Sequence, residues 1–279
     1  MTIIVSLFVT HHILVSIGSA EQANEVSRLV QPDAAQTPMC SFNQIHLSSV
    51  QLAAHLCNFV YEKPQRAHEG IISSYGIHQV VIWNIEASFR AVVGRVWLFN
   101  NRTLFVVLRG TASMTDGFIN SRFYRSKDFS AMGKVHAGFL ARFRKIQNQI
   151  ENIIDSNALR FDRIVFAGHS LGGAVAMLAA LNYSVDNANV PIDVVTLGSP
   201  RVGDETFGKY FNFYIKSHTR VFVSDDPVVT LPPRFMGYEH VVGGCVLMLP
   251  HATVKKGLFD KLEAHSLVIY QTNLEHLSQ

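Results

Sequence analysis

A serine hydroxyl is a weak nucleophile at neutral pH, so a chain that uses one must build a special place for it. Ser170 stands in such a place, in Gly168-His169-Ser170-Leu171-Gly172, after the apolar run Arg163-Ile-Val-Phe-Ala167 and before the small residues Gly173-Ala174. A sharp strand-to-helix turn pushes the serine Oγ above the sheet edge and leaves no room for side chains two positions before and two after it. Gly168 and Gly172 meet that steric demand. The helix read from Leu171 to about Ser184 points its N-terminus at the serine, which favours negative charge developing there.

A nucleophilic serine needs a histidine base, and the base needs a carboxylate to orient it. On this kind of strand-turn-helix frame the chain order is serine, then acid, then histidine. Asp226 directly follows a strand read over Arg220 to Ser224, and Asp225, Asp204 and Asp193 compete with it. His240, His251 and His265 all come late enough to serve as the base. His251 lies just beyond the apolar segment Val241 to Leu249. His265 lies in the segment Leu258 to Leu274 and shares a helical face with Leu258, Leu262 and Ile269, which is also where a core histidine would sit. Spacing alone leaves the base open. Two N–H donors must also face the tetrahedral oxygen. The elbow supplies the N–H of Leu171, and the loop Arg109-Gly110-Thr111-Ala112-Ser113 is placed to supply the second, with Thr111 offering both its N–H and its hydroxyl.

The elements that must carry these groups are legible as hydrophobic periodicity. Leu52, Leu56 and Phe59 recur at helical spacing and predict a covering helix from Leu47 to about Glu62. Gln79 to Ile85, Arg90 to Phe99 and Thr103 to Leu108 are β-rich with short polar breaks, the pattern of a meander. Val135 to about Ile154 reads as a long amphipathic helix with Phe139, Phe143, Ile146, Ile150 and Ile153 on one face. Strand 163–167, helix 171–184, strand 192–197, helix 204–216 and strand 220–224 then alternate. That alternation predicts right-handed crossovers and an α/β fold, a central mostly parallel sheet with helices on both faces and ligands at the carboxyl ends of its strands.

The 279 residues, 48% hydrophobic, are ample for one core, and residues 46–279 read as one domain. Met1 to Ala20 is apolar and ends in Gly18-Ser19-Ala20, which reads as a secretory signal peptide. Residues 21–45, polar with two prolines, read as an N-terminal arm. The net charge of +3 is spread over scattered lysines and arginines, which gives nucleic-acid binding no support. The 13 histidines show no zinc-site spacing with cysteines, so no metal is expected. Of the three cysteines, Cys40, Cys57 and Cys245, at least one is unpaired in a monomer. Asn101-Arg-Thr103 and Asn182-Tyr-Ser184 are glycosylation sequons.

Taken together these residues resemble the class 3 (fungal-type) triacylglycerol lipases of the α/β-hydrolase fold, from about His46 to the C-terminus. The resemblance rests on five motifs in order: Leu108-Arg-Gly-Thr-Ala-Ser113, Lys134-Val-His-Ala-Gly-Phe-Leu140, Gly168-His-Ser-Leu-Gly-Gly173, Leu197-Gly-Ser-Pro-Arg-Val-Gly-Asp204 and Asp226-Pro-Val-Val-Thr-Leu-Pro-Pro233. It implies Ser170 as nucleophile, Asp226 as acid, and Thr111 and Leu171 as the oxyanion hole. The family's base precedes its last helix, which matches Ala264-His265-Ser-Leu-Val-Ile-Tyr270 and favours His265. His136 and His169 fall inside family motifs without a triad role, and packing or hydrogen bonding near the site is expected of them.

The resemblance implies a secreted serine hydrolase acting on lipid carboxylic esters through an acyl-enzyme, without a cofactor and with no obligate protein partner evident. Its expected partner is a lipid or ester substrate at an oil-water or membrane interface. Phospholipase A and feruloyl-type esterase activity remain open on the same frame, as does a catalytically inactive lipid- or partner-binding protein. The segment Ser113 to Lys127 occupies the position of the family's lid. As a helix it would stack Met114 on Phe118 and Ile119 on Phe123, with Arg122, Arg125 and Lys127 flanking that apolar side.

Overall fold

The computed structural model describes residues 44–61, 77–86, 89–98, 101–110, 125–126, 129–156, 161–224, 226–242, 244–249 and 263–277. Helix α1, Gln44–Tyr61, precedes three strands: β1, Ile77–Glu86, β2, Phe89–Leu98, and β3, Asn101–Leu108. A short pair follows, β4, Arg125–Ser126, with β5, Val135–His136, and then helix α2, Ala137–Asp155. The alternating half comprises β6, Arg163–His169, α3, Leu171–Asp186, β7, Ile192–Leu197, α4, Glu205–Tyr214, β8, Ser217–Val223, β9, Cys245–Leu249, and α5, Leu267–His276.

The main sheet runs β1-β2-β3-β6-β7-β8-β9. β1, β2 and β3 form the expected antiparallel meander, and β3 through β9 pair in parallel. Strand periodicity sorts the core into two layers, because successive side chains leave a strand on opposite faces. Leu104, Val106 and Leu108 of β3, with Ile164 and Phe166 of β6, pack against α2, α3 and α4. Phe105, Val107, Val165 and Ala167 point the other way, onto α1 and α5. Helices therefore cover both faces.

Two local differences from the sequence reading have clear causes. The α2 helix begins at Ala137, since Val135 and His136 are extended. The His136 backbone N–H donates to Val202 O at 3.0 Å, and its Nδ1 accepts from Gly138 N at 3.1 Å as the helix N-cap. His265 lies in a turn, outside the helical run, and α5 starts two residues later.

Candidate active site

β6 ends at His169, α3 begins at Leu171, and Ser170 between them has φ 58° and ψ −130°. It is the one non-glycine residue with positive φ among those described, a conformation costing on the order of 1–3 kcal/mol that surrounding contacts must hold. Its N–H donates to Leu197 O at 2.9 Å, and its carbonyl accepts from Gly173 N at 3.0 Å. A Cβ at Gly168 would overlap the Gly172 carbonyl, and one at Gly172 would overlap Leu108 O. Both glycines are thus required by close backbone approach. Leu171 opens α3 with its side chain buried, and Ser170 has no exposed surface.

Asp226 lies just past the end of β8, buried, with both carboxylate oxygens engaged. Its Oδ1 accepts from Val228 N at 2.8 Å. Its Oδ2 lies 2.6 Å from His265 Nδ1 and accepts from Tyr270 Oη at 2.6 Å. Tyr270 Oη in turn accepts from Val223 N at 3.1 Å, which ties it to β8. Gly198, at φ 57°, faces this cluster: a Cβ there would stand 2.8 Å from Tyr270 Oη, 2.9 Å from Asp226 Oδ2 and 3.0 Å from His265 Cε1. A side chain at position 198 would pry the cluster apart. The Nε2 of His265 is buried with no hydrogen-bond partner among the described residues, so it makes no bond to Ser170 Oγ in this structure.

His169 connects the elbow to this cluster. Its ring lies 4.6 Å from that of His265, and its Nε2 is 2.9 Å from the His265 carbonyl oxygen. Its Nδ1 is 3.2 Å from Tyr61 Oη. Burial, reinforced by the neighbouring His265, holds His169 well below the ordinary histidine range despite the opposing carbonyl bond, so its ring is neutral.

The structure brings Asp226 and His265 together and gives three of the competing residues, Asp204, Asp193 and His240, other work. Asp204 caps α4, accepting from Phe207 N at 3.0 Å, and Asp193 pairs with Arg163. His240 Nε2 donates to Val229 O at 2.7 Å, and burial together with nearby Arg220 lowers its pKa to about 3. His251, Asp225, Thr111, Met114, Phe118, Ile119 and Phe123 lie outside the described residues. Sequence reasoning passed over Tyr61 and Tyr270. The available signal was generic: a tyrosine within an apolar helix face needs a partner for its hydroxyl. Among the described residues no group of three or more metal-ligating side chains converges.

Residues 105–236 match the family model Lipase (class 3). The chain is 31% identical over 194 residues to the secreted mono- and diacylglycerol lipase 1 of Fusarium solani, the match covering 67% of this chain and 58% of that protein. It is 31% identical over 145 residues to a lipase of Rhizopus niveus, covering 50% of this chain and 37% of that protein. The chain thus spans well under two thirds of the length of these relatives. The crystal structure of the lipase from Rhizopus microsporus var. chinensis superposes with a TM-score of 0.63 at 20% identity, over 77% of this chain and 79% of that one. Residues 105–236 of the chain accordingly belong to the class 3 lipase family, and the chain has the α/β-hydrolase fold.

Proposed function

We propose that the chain is a serine hydrolase cleaving carboxylic esters of lipids, with Ser170 as nucleophile, His265 as base and Asp226 as the acid that orients it. The observation carrying this reading is the buried His265 Nδ1 to Asp226 contact of 2.6 Å, which leaves Nε2 without a hydrogen-bond partner, while the ring of His169, the residue before Ser170, lies 4.6 Å from that of His265. A carboxylate on Nδ1 places the proton there and makes Nε2 the basic nitrogen. His265 takes the proton of Ser170 Oγ as the oxygen bonds to the ester carbonyl carbon. The Leu171 N–H, at the N-terminus of α3, and Thr111 stabilise the resulting oxyanion. His265 then passes its proton to the leaving alkoxide, releasing an alcohol and an acyl-Ser170 ester. Water repeats the sequence and releases the fatty acid. Catalytic hydrogen bonds are often long in unliganded enzymes and shorten with substrate, which fits the absence of an Oγ to Nε2 bond.

Ser170 has no exposed surface, so an ester reaches it only after some segment moves. We assign that movement to the part of residues 113–127 that precedes β4, with Met114, Phe118, Ile119 and Phe123 as an apolar underside that turns to a lipid surface, while Arg125 and Ser126 stay paired with β5. Residues 1–20 act as a signal peptide, 21–45 as an arm, and 46–279 as the hydrolase domain secreted from the cell; a relative named as secreted supports this.

A fluorophosphonate probe is expected to label the protein once, and Ser170→Ala to abolish labelling and hydrolysis. Labelling that survives the substitution sinks the assignment. A series of p-nitrophenyl esters of rising chain length, beside emulsified triglyceride, phospholipid and a feruloyl ester, fixes the substrate class. A step in rate at the solubility limit, lost in Phe118→Ser, is expected of a lid. Saturation below that limit points to a soluble-ester hydrolase.

A further inference from the structure

The His169 ring is buried, and both its nitrogens have partners from distant parts of the chain. A carbonyl oxygen only accepts, so the bond of 2.9 Å to His265 O requires the hydrogen on Nε2. In a neutral ring Nδ1 is then a lone pair, and the Tyr61 hydroxyl at 3.2 Å donates to it. Tyr61 Oη also packs directly against the Gly110 backbone. The fit there is close, since a Cβ at Gly110 would overlap Tyr61 Oη and stand 2.7 Å from His169 O. The Arg109 guanidinium sits over the Tyr61 ring at 5.3 Å. Two directed hydrogen bonds therefore run from the last residue of α1, across the elbow, to the main chain of His265, and Tyr61 at their start abuts Gly110, just past β3.

We propose that Tyr61 and His169 are positioning residues, a relay that fixes the His265 imidazole against the loop leading to Thr111. The inference rests on His265 being the base. Asp226 holds that residue by Nδ1 and His169 holds it by its carbonyl oxygen. With both points fixed, the direction of Nε2 is set; with the carbonyl free, the ring can pivot about its bond to Asp226. Because Tyr61 Oη abuts Gly110, base and oxyanion loop are registered to each other through two side-chain bonds and one close contact, with His169 at the end of β6 between them. Packing alone does not account for the histidine. A phenyl ring would fill the same space, 5.8 Å edge-on to Tyr61 and 5.7 Å from Tyr270, but would leave the His265 carbonyl without its donor.

Two nearly isosteric amides separate the readings. Glutamine places its N–H₂ where His169 Nε2 lies, whereas asparagine reaches only the Nδ1 position and cannot donate to His265. On a soluble p-nitrophenyl ester, His169→Gln is expected to stay within about 10-fold of the unsubstituted protein, and His169→Asn to lose about 100-fold in kcat with KM little changed, the scale of a misplacement near 1 Å. Tyr61→Phe, which frees Nδ1 and lets the tautomer invert, is expected to fall between them. Melting temperatures of the purified variants establish that each is folded. Should His169→Ala not fold, the Gln and Asn pair still decides the matter. Equal activity in that pair, or a loss residing in KM, overturns the relay. Ser170→Ala run alongside keeps the two questions apart: hydrolysis surviving in that variant removes the serine mechanism itself, whereas equal Gln and Asn variants beside a dead Ser170→Ala remove only the relay.

Discussion

Two buried histidine regions adjoin β8, one along the strand and one just past its end, and behave in opposite ways. His265 meets a carboxylate at 2.6 Å and keeps a nitrogen unpartnered. His218 on β8 and His240 after it line a small cavity with Arg220, Thr196 and Ser199, with room for about one water-sized sphere. Burial first, and then the charge of Arg220, pushes both of these down to about 3. Their neighbours favour the neutral ring in the folded protein, so neither is set up to shuttle a proton near neutral pH. Burial alone therefore does not mark a catalytic histidine; the sign of the charge beside it does.

The largest test of that contrast is His265→Ala, which should cost on the order of 10⁴-fold or more in kcat/KM, as loss of a triad member does. Activity within tenfold of the starting protein breaks the assignment of the base. Asp226→Asn should be of similar size, because the amide removes the charge that distinguishes this region from the other. Tyr270→Phe deletes one of three bonds to Asp226, and a drop of about tenfold is expected from losing a bond to a charged group. A Tyr270→Phe variant as inactive as Asp226→Asn would instead make the tyrosine part of the reacting set.

On the other side of the comparison, His240→Gln should keep kcat within about threefold, since it touches no reacting atom. The effect there is on stability. Folded His218 and His240 titrate below an unfolded value of about 6.5, so the unfolded chain binds more protons between these limits. Their stabilising contribution is complete above about pH 6.5 and falls toward pH 3, with a slope of up to about 1.4 kcal/mol per pH unit for each. Urea unfolding between pH 4 and 7 should show this fall, and His218→Phe should flatten it. An unchanged slope in that variant means the acid lability lies elsewhere.

How much of this could be read beforehand follows from distance along the chain. The elbow was legible because its demands are local: a residue with positive φ and two glycines within five positions. The strands and helices were legible from period, with bounds that moved by a few residues: a cap and a backbone bridge start α2 at Ala137 rather than Val135, and β8 begins at Ser217 rather than Arg220. The contact between Asp226 and His265 was not legible from spacing, which left Asp193, Asp204, Asp225, His240 and His251 in contention. It depends on where a turn after β9 returns to the sheet edge, and the collinear motifs supplied that choice. The bonds of Tyr61 and Tyr270 were invisible, because their partners lie 108 and 44 residues away and no periodicity encodes a hydroxyl's direction.

Cys57 offers a use of its own. It lies in α1, fully buried against the sheet, with its thiol pushed up by burial, while Cys245 is held in a disulfide. A thiol-specific reagent added to the unreduced protein meets this group only when α1 lifts away. Its labelling rate is then a stopwatch for opening of the face that α1 and α5 share, read without any introduced probe.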